Sequence, residues 1–129
     1  MTFKNLVNHA IELKYKVVPQ ENFSKVILEI NNAIEIELSF PDDNIEFFLN
    51  DSVNIDWEYS IVNKLNGEKI HSEWFDYYKG TTEIKLQDMK KDIWEFMDNF
   101  AKKKFRIVEK SVFSLFGRKF LKFKELEFE

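Results

Sequence analysis

The sequence predicts an α+β fold in which an antiparallel β-meander packs one face against two helices. Three observations predict it. Ile34, Ile36, Leu38 and Phe40 alternate with Glu35, Glu37 and Ser39, the pattern of a half-buried strand. Apolar residues recur at helical spacing near both ends of the chain, at Phe3, Leu6, Val7, Ala10, Ile11 and Leu13 and again at Met89, Ile93, Phe96, Met97 and Phe100. Asn66-Gly67 lies between two β-prone runs, a strong short-range hairpin signal.

Taken in chain order, residues 3–14 form a helix behind Thr2, whose hydroxyl can accept from the first free backbone amides. Pro19 and Gln20-Glu21-Asn22 end that region. Residues 23–30 fold back on 34–40 through Asn31-Asn32, because Asn tolerates the positive φ of a two-residue hairpin turn. That register sets Ile27 opposite Ile36 and Phe23 opposite Phe40. Pro41-Asp42-Asp43-Asn44 is turn chemistry, and a further strand is expected at 45–49.

A two-residue turn at Asn66-Gly67 pairs residues 53–64 with 68–78 and places Tyr59 across from Trp74, Trp57 from Asp76 and Ile55 from Tyr78. One face then gathers Ile55, Trp57, Tyr59, Ile61, Ile70, Trp74 and Tyr78. The other carries Asp56, Glu58, Ser60, His71 and Glu73, with Phe75 and Tyr77 among them. Cross-strand aromatic pairs of this kind contribute roughly 0.2 to 1 kcal/mol each. After Gly80 a short strand at 81–86 and a helix at 88–103 capped by Asp88 are expected, with Lys102, Lys103 and Lys104 offsetting the helix C-terminal dipole. The Phe-rich segment 105–128 reads as a final hairpin turning at Gly117-Arg118.

A chain of 129 residues is the size of one domain and can bury a core without metal or disulfide staples. Cysteine is absent, which excludes disulfides, cysteine nucleophiles and cysteine-ligated zinc. The three isolated glycines make no phosphate loop, and no serine nucleophile elbow occurs. No cofactor is therefore expected. The N-terminal residues lack a basic leader and a long apolar core, and no apolar run reaches membrane-spanning length, so a cytoplasmic location is expected.

The most informative pattern is charge. From Val26 to Asn63 the chain carries nine carboxylates and no Lys or Arg. Residues 1–80 hold 14 acidic and 7 basic side chains, whereas 81–129 hold 9 and 12. Solubility alone is one reason for such an excess. An acidic surface with aromatic anchors is also how an interface gains fast encounter and slow release, which points to a basic protein partner. The residues expected to make that contact are Asp42, Asp43, Glu46, Asp51, Asp56, Glu58 and Glu73, with Phe75 and Tyr77 as apolar anchors.

Other constellations carry less. His71 and Glu73 share a strand face while Asp76 points away, a poor metal set. Glu58 and Glu73 fall on one face in the expected register and could serve as an acid and base pair, although paired carboxylates on a solvated sheet are commoner than catalytic dyads. Lys102 to Arg106, Arg118, Lys119, Lys122 and Lys124 alternate with phenylalanines, which suits single-stranded nucleic acid as well as a half-buried strand. Nucleic-acid binding through this segment is the alternative function.

The hairpin Asp56-Trp57-Glu58-Tyr59 with Glu73-Trp74-Phe75-Asp76, the absence of cysteine and the Lys/Asn/Ile/Phe-rich composition resemble the immunity proteins that protect bacteria from contact-dependent and other polymorphic toxins. The resemblance is one of overall character over residues 23–103. It implies a cytoplasmic inhibitor that occludes a toxin domain, and it assigns no individual residue.

Overall fold

Thr2 starts the first helix as the sequence implies. Its side chain accepts from the Asn5 amide while Asn5 reaches back to the Thr2 amide, closing a capping box at the head of α1, Phe3–Glu12. The computed structural model describes residues 1–43, 55–113 and 120–129. Beyond α1 follow β1 (Lys16–Pro19), β2 (Phe23–Glu29), β3 (Ile34–Pro41), β4 (Ile55–Asn63), β5 (Lys69–Tyr77), α2 (Thr82–Ala101), β6 (Phe105–Phe113) and β7 (Phe120–Phe128). The strand expected at 45–49 lies outside the described residues.

Strands β1 to β5 form one antiparallel meander in sequential order, and β6 pairs with β7 in a separate two-stranded sheet. The α+β architecture is thus the one expected. Both helices lie on one face of the meander, where Val26, Leu28, Ile36, Leu38, Phe40, Ile55, Trp57, Tyr59 and Ile61 meet Phe3, Leu6, Met89, Ile93, Met97 and Phe100. Aromatic rings make the densest part of this layer. Phe96 of α2 packs 5.2 Å from Trp57, 5.5 Å from Tyr59 and 5.3 Å from Phe75, centroid to centroid. Phe105 and Phe128 at the base of the β6–β7 hairpin close on Phe100 at 5.5 and 5.2 Å.

The polar ends of these rings are all occupied. Tyr15 donates to the Met97 carbonyl at 2.9 Å, Tyr59 donates to Glu73, and Tyr77 accepts from the Trp57 indole at 3.0 Å while donating to Asp92 at 2.6 Å. Large aromatics can occupy a core only on these terms, because an unmet hydroxyl or indole N–H there costs about 1–3 kcal/mol.

Two registers differ from expectation by one residue, and one side chain explains much of the first. Asn31 Oδ1 accepts from the amides of Ala33 and Ile34, which lengthens the β2–β3 turn by a residue. Leu28 therefore faces Ile36 and Ser24 faces Phe40, and Val26 and Leu28 enter the core in place of Ile27 and Phe23. In the β4–β5 hairpin, Gly67 adopts φ +75° and donates to the Asn63 carbonyl, so the loop spans more than two residues. A bulge then shifts the register between Ile61 and Val62, so that Ile61 faces His71 while Val62 faces Lys69. Beyond it Trp57 pairs with Phe75, Tyr59 with Glu73 and Ile55 with Tyr77.

The second helix also begins earlier than expected. Thr81, with its hydroxyl accepting from the Ile84 amide, caps it in place of Asp88, and residues 82–86 are helical and not a strand. Leu86 is buried one turn before Met89, extending the apolar stripe toward the N-terminus. Strand β1 was not anticipated. It follows a Schellman closure of α1, in which Tyr15 donates to the Ala10 carbonyl and Lys14 to that of Ile11.

Lys14 occupies the left-handed position of that closure at φ 73°, where a β-carbon is strained. Replacing Lys14 with Gly should raise unfolding stability by about 1 kcal/mol in urea titration, and Lys14→Val should lower it.

Candidate partner-binding surface

Because every other residue of a strand faces the helices, the alternate set forms a second face on the other side of the meander, and the exposed residues at its β4–β5 end make an open face. On β4 that set is Asp56, Glu58, Ser60 and Val62, of which Asp56 and Glu58 are exposed while Ser60 and Val62 are buried, and on β5 it is the exposed Ser72, Trp74 and Asp76. Asp56 sits directly across from Asp76, and Glu58 lies between Ser39 and Trp74. The indole of Trp74 is 61 % exposed and Tyr78 just beyond it is 66 % exposed. The surface thus joins three carboxylates to a large uncovered ring.

The expected site divides accordingly. Asp56 and Glu58 are exposed on this face as anticipated. Glu73, Phe75 and Tyr77 are not on it, because the one-residue shift turns them toward the helices. Phe75 and Tyr77 pack against the core, and Glu73 takes the Tyr59 hydroxyl. The aromatic residues exposed in their place are Trp74 and Tyr78, and the carboxylate exposed beside Trp74 on β5 is Asp76. Glu58 and Glu73 consequently lie on opposite faces and form no carboxylate pair.

Asp43 serves the fold. Its two oxygens accept from the Phe3 and Lys4 amides at 2.8 and 3.2 Å, placing an anion at the positive end of α1. Asp42 is half-buried beside it. Glu46 and Asp51 lie outside the described residues.

The acidic run is also partly neutralised, and by its own neighbours in sequence. Lys25 and Lys64, the cations that flank the run, reach back to Glu37 at 3.4 Å and Glu29 at 3.1 Å. Two cations of the C-terminal hairpin act elsewhere: Arg106 holds Glu127 at 3.1 Å, and Lys110 holds Glu125 at 2.5 Å and Glu127 at 3.4 Å. Among the described residues no cation lies within ion-pairing distance of Asp56, Glu58 or Asp76. Asp56, Glu58 and Asp76 thus form an acidic group at the β4–β5 end of the open face.

The surroundings of Asp56 act on its carboxyl, burial most of all. Partial burial raises its pKa above the ordinary carboxylate value, the charges of Asp76 and Glu58 raise it further, and a hydrogen bond from Trp74 opposes them. Next to Asp56, a hollow of about 490 Å³ opens over Ser39 and is bounded by Asn22, Phe23, Lys25 and Glu58.

The two histidines are held structurally. His9 lies 2.6 Å from Asp98 and stacks on Trp94 at 3.5 Å, joining the two helices. His71 is turned inward on β5 with Nε2 buried, 3.7 Å from Glu73 and without a hydrogen-bond partner among the described residues. Asp76 lies on the face opposite to both. Among the described residues no three His, Cys, Asp or Glu side chains converge as metal ligands would, and no helix is long and apolar enough to cross a membrane.

Comparison with protein-family models, with curated proteins and with solved structures finds no match for this chain.

Two outcomes are expected. An ionised Asp56 costs stability above its raised pKa, so Asp56→Asn should be more stable than the parent at neutral pH. That advantage should vanish as pH falls below the ordinary carboxylate range, where both folded and unfolded parent bind the proton, as thermal melts across pH would register. Tyr77→Phe strands the Trp57 indole N–H and should lower stability by about 1–3 kcal/mol in urea titration.

Proposed function

We propose that this protein is a binding module that neutralises a basic protein, most plainly a toxin domain, by covering it with the open face of the meander. The observation that supports this reading is the grouping of Asp56, Glu58 and Asp76 around the exposed Trp74 without a compensating cation among the described residues. Crowded like charges are mutually repulsive until a partner supplies Lys or Arg, and the ring offers a cation–π seat and an apolar anchor at the same place. The sheet behind them is braced by the aromatic layer, so the surface is formed before contact and loses little conformational freedom on binding. The resemblance to bacterial immunity proteins agrees in kind with an acidic inhibitor acting in the cytoplasm.

The alternative of nucleic-acid binding through the C-terminal segment draws less support. Arg106 and Lys110 are committed to Glu125 and Glu127 within the hairpin, leaving them less able to neutralise phosphates.

The test uses the reading frame adjacent to this gene. A toxin domain encoded there should arrest growth when expressed alone and be tolerated when this protein is coexpressed. The triple variant Asp56→Lys, Glu58→Lys, Asp76→Lys, folded by circular dichroism, should associate about 10- to 1000-fold more slowly at low salt and show a flattened salt dependence. Unchanged rates in the variant would remove the acidic face from the mechanism. Retention of an oligonucleotide in place of a basic protein would transfer the function to the C-terminal segment.

A further inference from the structure

The two edges of the meander differ in kind. On one side β1 has four residues, begins with Lys16 and ends at Pro19, whose nitrogen has no hydrogen to donate. A short strand with Lys and Pro is how proteins blunt an edge against unwanted pairing. On the other side β5 runs nine residues without Pro or Gly, and its outer backbone has no strand beside it among the described residues. The β6–β7 hairpin, which could have covered it, forms its own sheet and packs under α2 through Phe105 and Phe128. From His71 to Tyr77 the pairing of β5 with β4 is regular, the bulge lying before it.

We infer that the basic partner joins the sheet, adding an extended segment along the outer edge of β5 with Lys or Arg side chains on the open face beside Trp74 and Asp76. The inference rests on the proposed partner reading and specifies how the contact is made. An edge strand presents unpaired N–H and C=O groups at every second residue, which a partner strand satisfies irrespective of its sequence. Selectivity then comes from the side chains that alternate across the new strand. On the open face they would stand next to Trp74 and Asp76, with Asp56 and Glu58 one strand further in, so positive charge is favoured and negative charge repelled. On the helix side they would stand next to Phe75 and Tyr77, which are only partly buried, so apolar residues are favoured there. The partner segment is accordingly one in which basic and apolar residues alternate.

The experiment records amide hydrogen exchange and the Trp74 indole resonance of the full chain by NMR. Its probe is a peptide of about ten residues alternating Arg and Val, with a Glu/Val peptide and a backbone N-methylated Arg/Val peptide as controls. The Arg/Val peptide should shift the Trp74 indole and slow exchange at alternate amides between His71 and Tyr77 by about tenfold or more. The Glu/Val peptide should do neither, and the N-methylated peptide should shift Trp74 without protecting the amides. A Trp74 shift with unprotected β5 amides under the unmodified Arg/Val peptide overturns strand addition while leaving the acidic face as a binding surface. If neither Trp74 nor β5 responds, both readings fall. Protection of β5 without any peptide, accompanied by a concentration-dependent dimer in sedimentation, would assign the edge to a second copy of the chain and overturn the inference.

Discussion

The layer of rings between β4, β5 and α2 is the constraint on which the remaining structure depends. Trp57, Tyr59, Phe75, Phe96 and Phe100 have ring neighbours at 4.8 to 6.4 Å; α2 meets the meander there, and the base of the β6–β7 hairpin joins the layer through Phe100. Their polar atoms fix the layer as firmly as their area does. Tyr77 joins the Trp57 indole to Asp92, and Tyr59 holds Glu73, so sliding β5 by one residue would break both connections at once. One-sided packing has a direct corollary. With both helices taken up on one face, Asp56, Glu58, Trp74 and Asp76 stand exposed on the reverse of β4 and β5.

Much of the architecture can be read from local pattern. The alternation in β3 is unbroken, and its buried positions are Ile36, Leu38 and Phe40 as the alternation implies. In β4 the faces alternate in the same way from Ile55 to Tyr59, beyond which Ser60 and Val62 are buried as well, and the head of α1 lies behind Thr2 as its hydroxyl implies. What local pattern does not carry is parity. A two-residue turn and a longer one differ by a single position, and at Asn31 the choice was made by a side-chain oxygen that took two backbone amides. The bulge before His71 has a similar effect on β5, whose residues are aromatic or polar on both faces, so no hydrophobic contrast announces which side is inward. The second helix was obscured by β-branched Thr81, Thr82 and Ile84, although Leu86 stands in phase with Met89 and Ile93.

The charge pattern was legible as a quantity and less so as a surface. Nine carboxylates without a cation suggested one continuous acidic exterior, yet residues at the two ends of the run and one far away in sequence divide it. Lys25 and Lys64 close over Glu37 and Glu29, and Asp43 is taken by the N-terminus of α1, about forty residues upstream. These are tertiary events that spacing does not encode. Asp76, by contrast, lies outside the run and joins Asp56 only because β5 pairs in the shifted register.

The distribution of the three tryptophans has an optical consequence. Trp57 is sealed in the core with its N–H bonded, Trp94 lies flat on an imidazole, and Trp74 stands in water among carboxylates. The molecule thus carries three intrinsic fluorophores in contrasting surroundings: one emitting from an apolar medium, one adjacent to a quenching ring, and one at the red end of the spectrum. Caesium ions, drawn toward carboxylates, should dim the last more than iodide does, while heat should release the first. Events on the open face and collapse of the interior are therefore distinguishable by colour and quencher in the unlabelled chain.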